Sequence, residues 1–271
     1  MRFRSLLSLP LLAAACAADP TDAVITDDEA PLGTYEGVVA GAPPNHMLPD
    51  DNKADAVYPV KFTELVAGQS PVKSQGSRGV CSIFATAGLM EALYIKAGAE
   101  SPDFSEQFLQ WSVKNEVGAF RDTSGSNAGE NLEAISEYGI VAESDWAYEP
   151  LPWAAPAHPE CSEGEEKDRP VECHTNGDPP QTAMDAARHT LPRGRWLNTN
   201  SIKAHLTTKK TPVQVGMDFF YQSWNHRRST LPVNADSWKQ GYVLFPNDDD
   251  VEASHKPVSY THLTLPTILR V

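Results

Sequence analysis

Between Ser70 and Ala85 a short extended run gives way to a Gly-rich turn, and the turn to a Cys that opens an apolar-periodic helix. This order can make a thiol nucleophilic. A Cys at a helix N-terminus feels the positive end of the macrodipole, which favours thiolate over thiol. Gly76 and Gly79 let the backbone bend tightly, so the Cys81 amide can point at a substrate oxygen. Gln75, six residues upstream, can bring a side-chain amide to the same point. The plain alternative is a small buried Cys in a helix, a common fate of free Cys. From Cys81 to Ala97, Ile83, Ala87, Met90 and Tyr94 recur on one face, with Phe84 and Leu93 beside them. Gly98 suits the C′ position. This helix is expected to be a buried spine, with function confined to its first turn.

Gln75-Gly76-Ser77-x-Gly79-x-Cys81-x-x-Phe84-Ala85 resembles the active-site segment of papain-like cysteine proteases, usually Gln-Gly-Ser-Cys-Gly-Ser-Cys-Trp-Ala-Phe. Pro71-Val72-Lys73 fits the lead-in to that segment. The likeness continues through Phe104-Ser105-Glu106-Gln107, Gly125-Ser126-Asn127-Ala128-Gly129 and Tyr138-Gly139-Ile140-Val141 to Tyr148. It is close over residues 57–150 and loose over 196–255. The resemblance implies an α+β, papain-like two-lobed fold, with a helical N-terminal lobe and an antiparallel β-sheet-rich C-terminal lobe, here incomplete. It implies peptide or protein substrates, a Gln75 oxyanion donor, and a cleft lined by Gly79, Gly125 and Gly129. It implies neither a metal nor an organic cofactor.

A thiol protease needs a base that takes the thiol proton and returns it to the leaving amine. An unperturbed Cys is only about 3% thiolate at pH 7, so a His partner gains roughly thirtyfold in nucleophile. In the family this His opens a strand after a small-residue turn. Val251-Glu252-Ala253-Ser254-His255 arrives where it is expected, so His255 is the candidate base and His262 the runner-up. His158, His174, His189, His205 and His226 sit in polar surroundings and are expected to be exposed.

Three departures accompany the resemblance. Arg78 and Ser126 stand where the family has a bonded Cys pair, and Ser82 replaces the Trp after the nucleophile. The Asn that would orient the imidazole does not follow His255. Residues 257–271 are therefore read as a non-family tail, a sequence artefact resembling translated adapter read-through. The competing function is a catalytically impaired papain-fold binding protein, and a third option is a transferase or deconjugase using the same Cys–His pair.

The flanks suggest export. Arg2 and Arg4 precede an apolar run from Leu6 to Leu12, too short to span a bilayer, so 1–15 read as a signal peptide. Leu12-Ala13-Ala14-Ala15-Cys16 resembles a lipobox, which would lipidate Cys16 and tether the chain to a membrane. Cleavage after Ala15 or Ala18 would instead release it. Residues 16–56, rich in Asp, Ala, Pro and Gly, read as a flexible tether or short pro-segment ahead of a peptidase domain at 57–256. Within that domain 149–195 departs from the family and reads as a surface insertion. Its Cys161 and Cys173 suggest a disulfide in an exported chain. Zinc held by them and His174 is the alternative, with no evident fourth ligand. The net charge of −14 repels phosphate backbones, so nucleic acid is not an expected partner.

Short helices at Ser105, Glu130–Tyr138 and Ser201–Leu206 are read from caps and periodicity, the last capped by Asn200 or Ser201. Strands are read at Tyr58–Phe62, Pro212–Phe219 and Gly241–Phe245.

Overall fold

The computed structural model describes residues 41–53, 55–59, 62–216 and 223. Seven α-helices occur among them. These are α1 (Thr63–Ala67), α2 (Cys81–Lys96), α3 (Glu106–Asn115), α4 (Ala128–Glu133), α5 (Val171–Thr175), α6 (Gln181–Met184) and α7 (Ile202–Thr208). A π-helical turn, Ala134–Tyr138, extends α4.

The spine is α2, and its sequence explains both ends. It starts at Cys81, immediately after the Gly-rich turn. It stops because Ala97 closes the last hydrogen bonds and Gly98 turns left-handed, φ 100°. Ile83, Ala87 and Met90 are fully buried, and so are the polar Thr86 and Glu91. Against this helix packs α3, whose N-cap Ser105 accepts the Phe108 amide at 2.9 Å. Phe108, Leu109 and Val113 face inward with no exposure. Asn127 caps α4 by accepting the Glu130 amide at 2.9 Å, so that helix begins two residues earlier than Glu130. One core results, joining Val80, Ile83, Phe84 and Met90 to Phe104, Phe108, Leu109, Val113, Ile135, Ile140 and Ala183. A smaller cluster packs Leu65 of α1 on Leu206 of α7.

No β-ladder forms among the described residues; two isolated bridges link Phe104 with Ala142 and Ile140 with His189. The expected strand at Gly241–Phe245, and most of the expected sheet-rich lobe, fall outside the described residues. Residues 56–59 carry no strand, and Phe62 is instead the residue that leads into α1. Residues 212–216 are likewise irregular. Around Ser201 the cap is Asn198, which accepts the Asn200 amide at 2.9 Å and starts a 3₁₀ turn, Thr199–Ser201, ahead of α7.

Two segments differ in kind from their sequence reading. Residues 45–51, inside the expected tether, are strapped to the entrance of α7. Asn198 Nδ2 donates to the Asn45 and Leu48 carbonyls at 3.0 and 3.2 Å, and the Asp51 amide donates to Ser201 Oγ at 2.7 Å. The stretch 149–195 divides in two. Its first part, to about residue 169, is largely exposed. Its second part enters the body: Ala183 belongs to the core, and Cys173, His174, Thr175 and Asn176 are buried. Cys161 and Cys173 are joined by a disulfide that fastens the two parts together.

Candidate active site

Cys81 is the free cysteine among the described residues, half-buried at the first position of α2. Val80 precedes it and supplies no capping side chain, so the first-turn amides are left for other acceptors. The Cys81 and Ser82 amides accordingly favour the thiolate. Burial outweighs them and pushes the thiol up to about 11. In these surroundings the sulfur is protonated at neutral pH, and ionising it takes a further cation or base.

The turn before Cys81 is tight for a steric reason. Gly76 has φ 62°, and a Cβ there would lie 2.3 Å from the Pro150 carbonyl oxygen. That approach lets the Ser77 amide donate to the same carbonyl at 3.2 Å. The Gln75 side-chain amide donates to the Arg78 carbonyl at 2.9 Å, inside the turn. Its own carbonyl accepts the Tyr148 hydroxyl at 2.8 Å. Gln75, Gly79 and Cys81 are thus brought into one short segment, which Lys73 anchors upstream. Lys73 Nζ lies 2.8, 2.6 and 2.9 Å from carboxylates of Glu91, Asp103 and Glu106. Burial pushes the Glu106 carboxyl up to about 7 against the opposing pull of Lys73.

The Gly-rich loop comes to the nucleophile through two hydroxyls. Ser82 Oγ and Ser126 Oγ are 2.7 Å apart and buried. Gly125 and Gly129 flank this contact in sequence. A Cβ on Gly129 would meet the Trp196 ring at 3.6 Å, so that face carries an indole that is 42% exposed. From below, Lys114 Nζ donates to the Phe120 and Gly125 carbonyls at 2.9 and 3.1 Å. Lys114 is fully buried, and burial brings its amine down to about 7, with Arg78 adding repulsion. One turn along the same face of α2 from Ser82, Thr86 Oγ1 donates to Gln214 Oε1 at 2.8 Å, and Gln214 Nε2 donates to the Ser82 carbonyl at 3.3 Å, which seats Gln214 beside the start of the helix.

Several candidates fall elsewhere. His255 and Cys16 lie outside the described residues, as does His262. His174 is not exposed: it is 2% accessible, because α5 folds it under the 120–126 loop, where Nδ1 lies 3.4 Å from Ser124 Oγ. Burial, then the Lys114 charge, holds its pKa below the usual imidazole range. Among the described residues no group of three or more His, Cys, Asp or Glu side chains is arranged to hold a metal, and no helix is long and apolar enough to cross a membrane. Arg78, Lys114 and Tyr148 were not legible as site residues. The one signal was that Arg78 replaces a Cys expected from the resemblance.

The family model described as papain family cysteine protease matches residues 63–239. No curated protein sequence matches. Among solved structures, a digestive procathepsin L2 proteinase from Tenebrio molitor larval midgut is 30% identical over 36% of this chain and 31% of its own, with TM-score 0.30. Xylellain, a cysteine protease from Xylella fastidiosa, is 18% identical over 69% and 73%, with TM-score 0.46. The cysteine protease and lectin-like domains of a surface-layer-associated protein of Clostridium difficile are 16% identical over 73% and 39%, with TM-score 0.41. The chain therefore spans about a third of the length of the first of these. With well over half of its residues matched by one family model, the chain belongs to the papain family of cysteine proteases.

Proposed function

We propose that the chain is an exported cysteine endopeptidase. The observation that carries this is a free thiol on the first residue of a buried helix, behind a turn that holds Gln75, in a member of this family. Cys81 Sγ attacks the scissile carbonyl carbon as His255 takes the thiol proton. The Cys81 amide and the Gln75 side chain receive the resulting oxyanion, a contribution of about 10² to 10³ in rate per donor. Collapse breaks the C–N bond, and the imidazolium returns its proton to the leaving amine. Water, activated by the same imidazole, then hydrolyses the thioester. Gly79, Gly125 and Gly129 line the cleft, and His255 belongs to a sheet-rich second lobe within residues 57–256. Residues 1–15 direct export, 16–56 precede the domain, and lipidation of Cys16 tethers it to a membrane.

Active-site titration with a thiol-directed epoxide, paired with hydrolysis of a fluorogenic peptide library, tests the reading. One equivalent of label on Cys81 and turnover lost in Cys81→Ser is the expected result. Peptide binding without turnover would move the assignment to a papain-fold binding protein. Metabolic labelling with a fatty acid, lost in Cys16→Ser, tests the tether.

A further inference from the structure

The turn that carries Gln75 and Cys81 is held from outside itself, and Arg78 is the centre of the hold. Its side chain is only 4% exposed and reaches three separate segments. Nη1 donates to Gln107 Oε1 of α3 at 2.7 Å and to the Glu149 carbonyl at 3.0 Å; Nη2 donates to the His174 carbonyl of α5 at 3.3 Å. The guanidinium lies over the Tyr148 ring, 4.9 Å from its centroid, while the hydroxyl of that ring holds the Gln75 carbonyl. The backbone carbonyl of Arg78 receives the Gln75 side-chain amide. One residue therefore fixes Gln75 twice, once through its own backbone and once through Tyr148.

None of these hydrogen-bond acceptors is a carboxylate. Burying a guanidinium among neutral acceptors is a poor way to gain stability, since well-packed apolar groups usually do as well or better. Its distinctive property is the planar fork, which sets several acceptors at fixed angles to one another.

We propose that Arg78 is the positioning residue of the oxyanion turn, setting the Gln75 amide and the Cys81 amide at their working geometry without touching substrate. This rests on the reading of Cys81 and Gln75 given above. Tyr148 acts through the same route, as the arm from the guanidinium to the Gln75 carbonyl.

The test compares the full chain with Arg78→Ala, Arg78→Lys and Tyr148→Phe, measuring kcat and KM on one fluorogenic peptide, the Cys81 alkylation rate and Tm. Arg78→Ala is expected to lower kcat about tenfold to a hundredfold with KM within about threefold, the mark of an interaction realised in the transition state. Arg78→Lys is expected to stay impaired, because an ammonium lacks the fork. Millimolar guanidinium ion should restore part of the kcat of Arg78→Ala and leave the parent unchanged. Tyr148→Phe keeps the ring and removes only the hydroxyl, so it should fold and lose kcat about threefold to tenfold. Parent-like kcat in both Arg78→Ala and Tyr148→Phe overturns the proposal. So does a loss that follows the unfolded fraction and is not rescued by guanidinium. A parent chain that neither turns over peptide nor labels at Cys81 overturns the peptidase reading, and this inference with it.

Discussion

Two regions hold Cys81, and they do so by different means. From one side α2 is embedded in an apolar core, with Ile83, Phe84 and Met90 packed on α3 and the π-helical turn. From the other side the 148–177 segment grips the preceding turn almost wholly through polar contacts. Pro150 supplies a carbonyl to Ser77, Tyr148 a hydroxyl to Gln75, and Glu149 and His174 carbonyls to Arg78. Asn176 stitches this side to itself, donating to Leu151 O at 2.7 Å and accepting the Trp153 amide at 3.1 Å. The apolar side places the helix. The polar side sets the angle at which the chain enters it. Neither ionises the sulfur.

That last point gives the largest expected effect. With the thiol at about 11 in this scaffold, His255→Ala should make Cys81 alkylation climb with pH through the alkaline range. The parent should already react at neutral pH, so the rates at pH 7 should differ by about three to four orders of magnitude. Equal profiles would show that the scaffold, not the imidazole, sets reactivity.

Breaking the apolar side comes next. Phe108→Ala removes a fully buried ring that packs near Trp111 and Trp146 and lies under Arg188. It should destabilise by about 3 to 5 kcal/mol in urea denaturation. Removing the disulfide, by Cys161→Ser with Cys173→Ser, should destabilise by roughly 3 kcal/mol for a loop with a sequence separation of 12. It should also lower kcat more than Phe108→Ala does when both are assayed well below their melting temperatures, since α5 presents the His174 carbonyl to Arg78. Gly76→Ala sharpens the contrast further. It forces a Cβ against the Pro150 carbonyl at positive φ, so stability should fall by about 1 to 3 kcal/mol and the turn should reopen. A Gly76→Ala enzyme of parent activity would argue that the entry angle does not matter.

The smallest effect is a pH dependence of stability with two arms. Glu106 is raised from 4.5 to about 7, so the folded chain keeps a proton that the unfolded chain has released in that range. Stability then falls as pH rises from 4.5 to 7. Lys114 is lowered from 10.5 to about 7, so here the unfolded chain holds the extra proton, and this contribution falls as pH drops from 10.5 to 7, offset above pH 9 by the raised Cys81 thiol, which keeps its proton in the folded chain. A dip near pH 7 follows. Denaturant midpoints across pH should lose the acid arm in Glu106→Gln and the alkaline arm in Lys114→Met.

The same contrast decides what could be read from the residues alone. The start of α2, its stop at Gly98, the Ser105 cap and the inward face of α3 all follow from periodicity and capping, which are written in side-chain identity. The grip on the turn is not, because most of its acceptors are backbone carbonyls, and a carbonyl looks the same behind every residue. His174 shows this most plainly. Its polar neighbours in sequence suggested exposure, yet it is buried where its backbone carbonyl accepts from both Arg78 and Gln110. A strand is expected at Tyr58–Phe62, but Tyr58 and Pro59 are irregular and Phe62 leads into α1; Val60 and Lys61 lie outside the described residues. Residues 45–51 lack apolar periodicity, so nothing local announced that they would be strapped to α7.

That strap carries a kinetic consequence. It joins positions about 150 residues apart through a handful of hydrogen bonds and almost no apolar area. The chain entropy of closing so wide a circuit is offset only after the intervening core has already condensed. The 45–51 segment should therefore latch late in refolding and be among the earliest parts to exchange its amides, a fastening added to an assembled body.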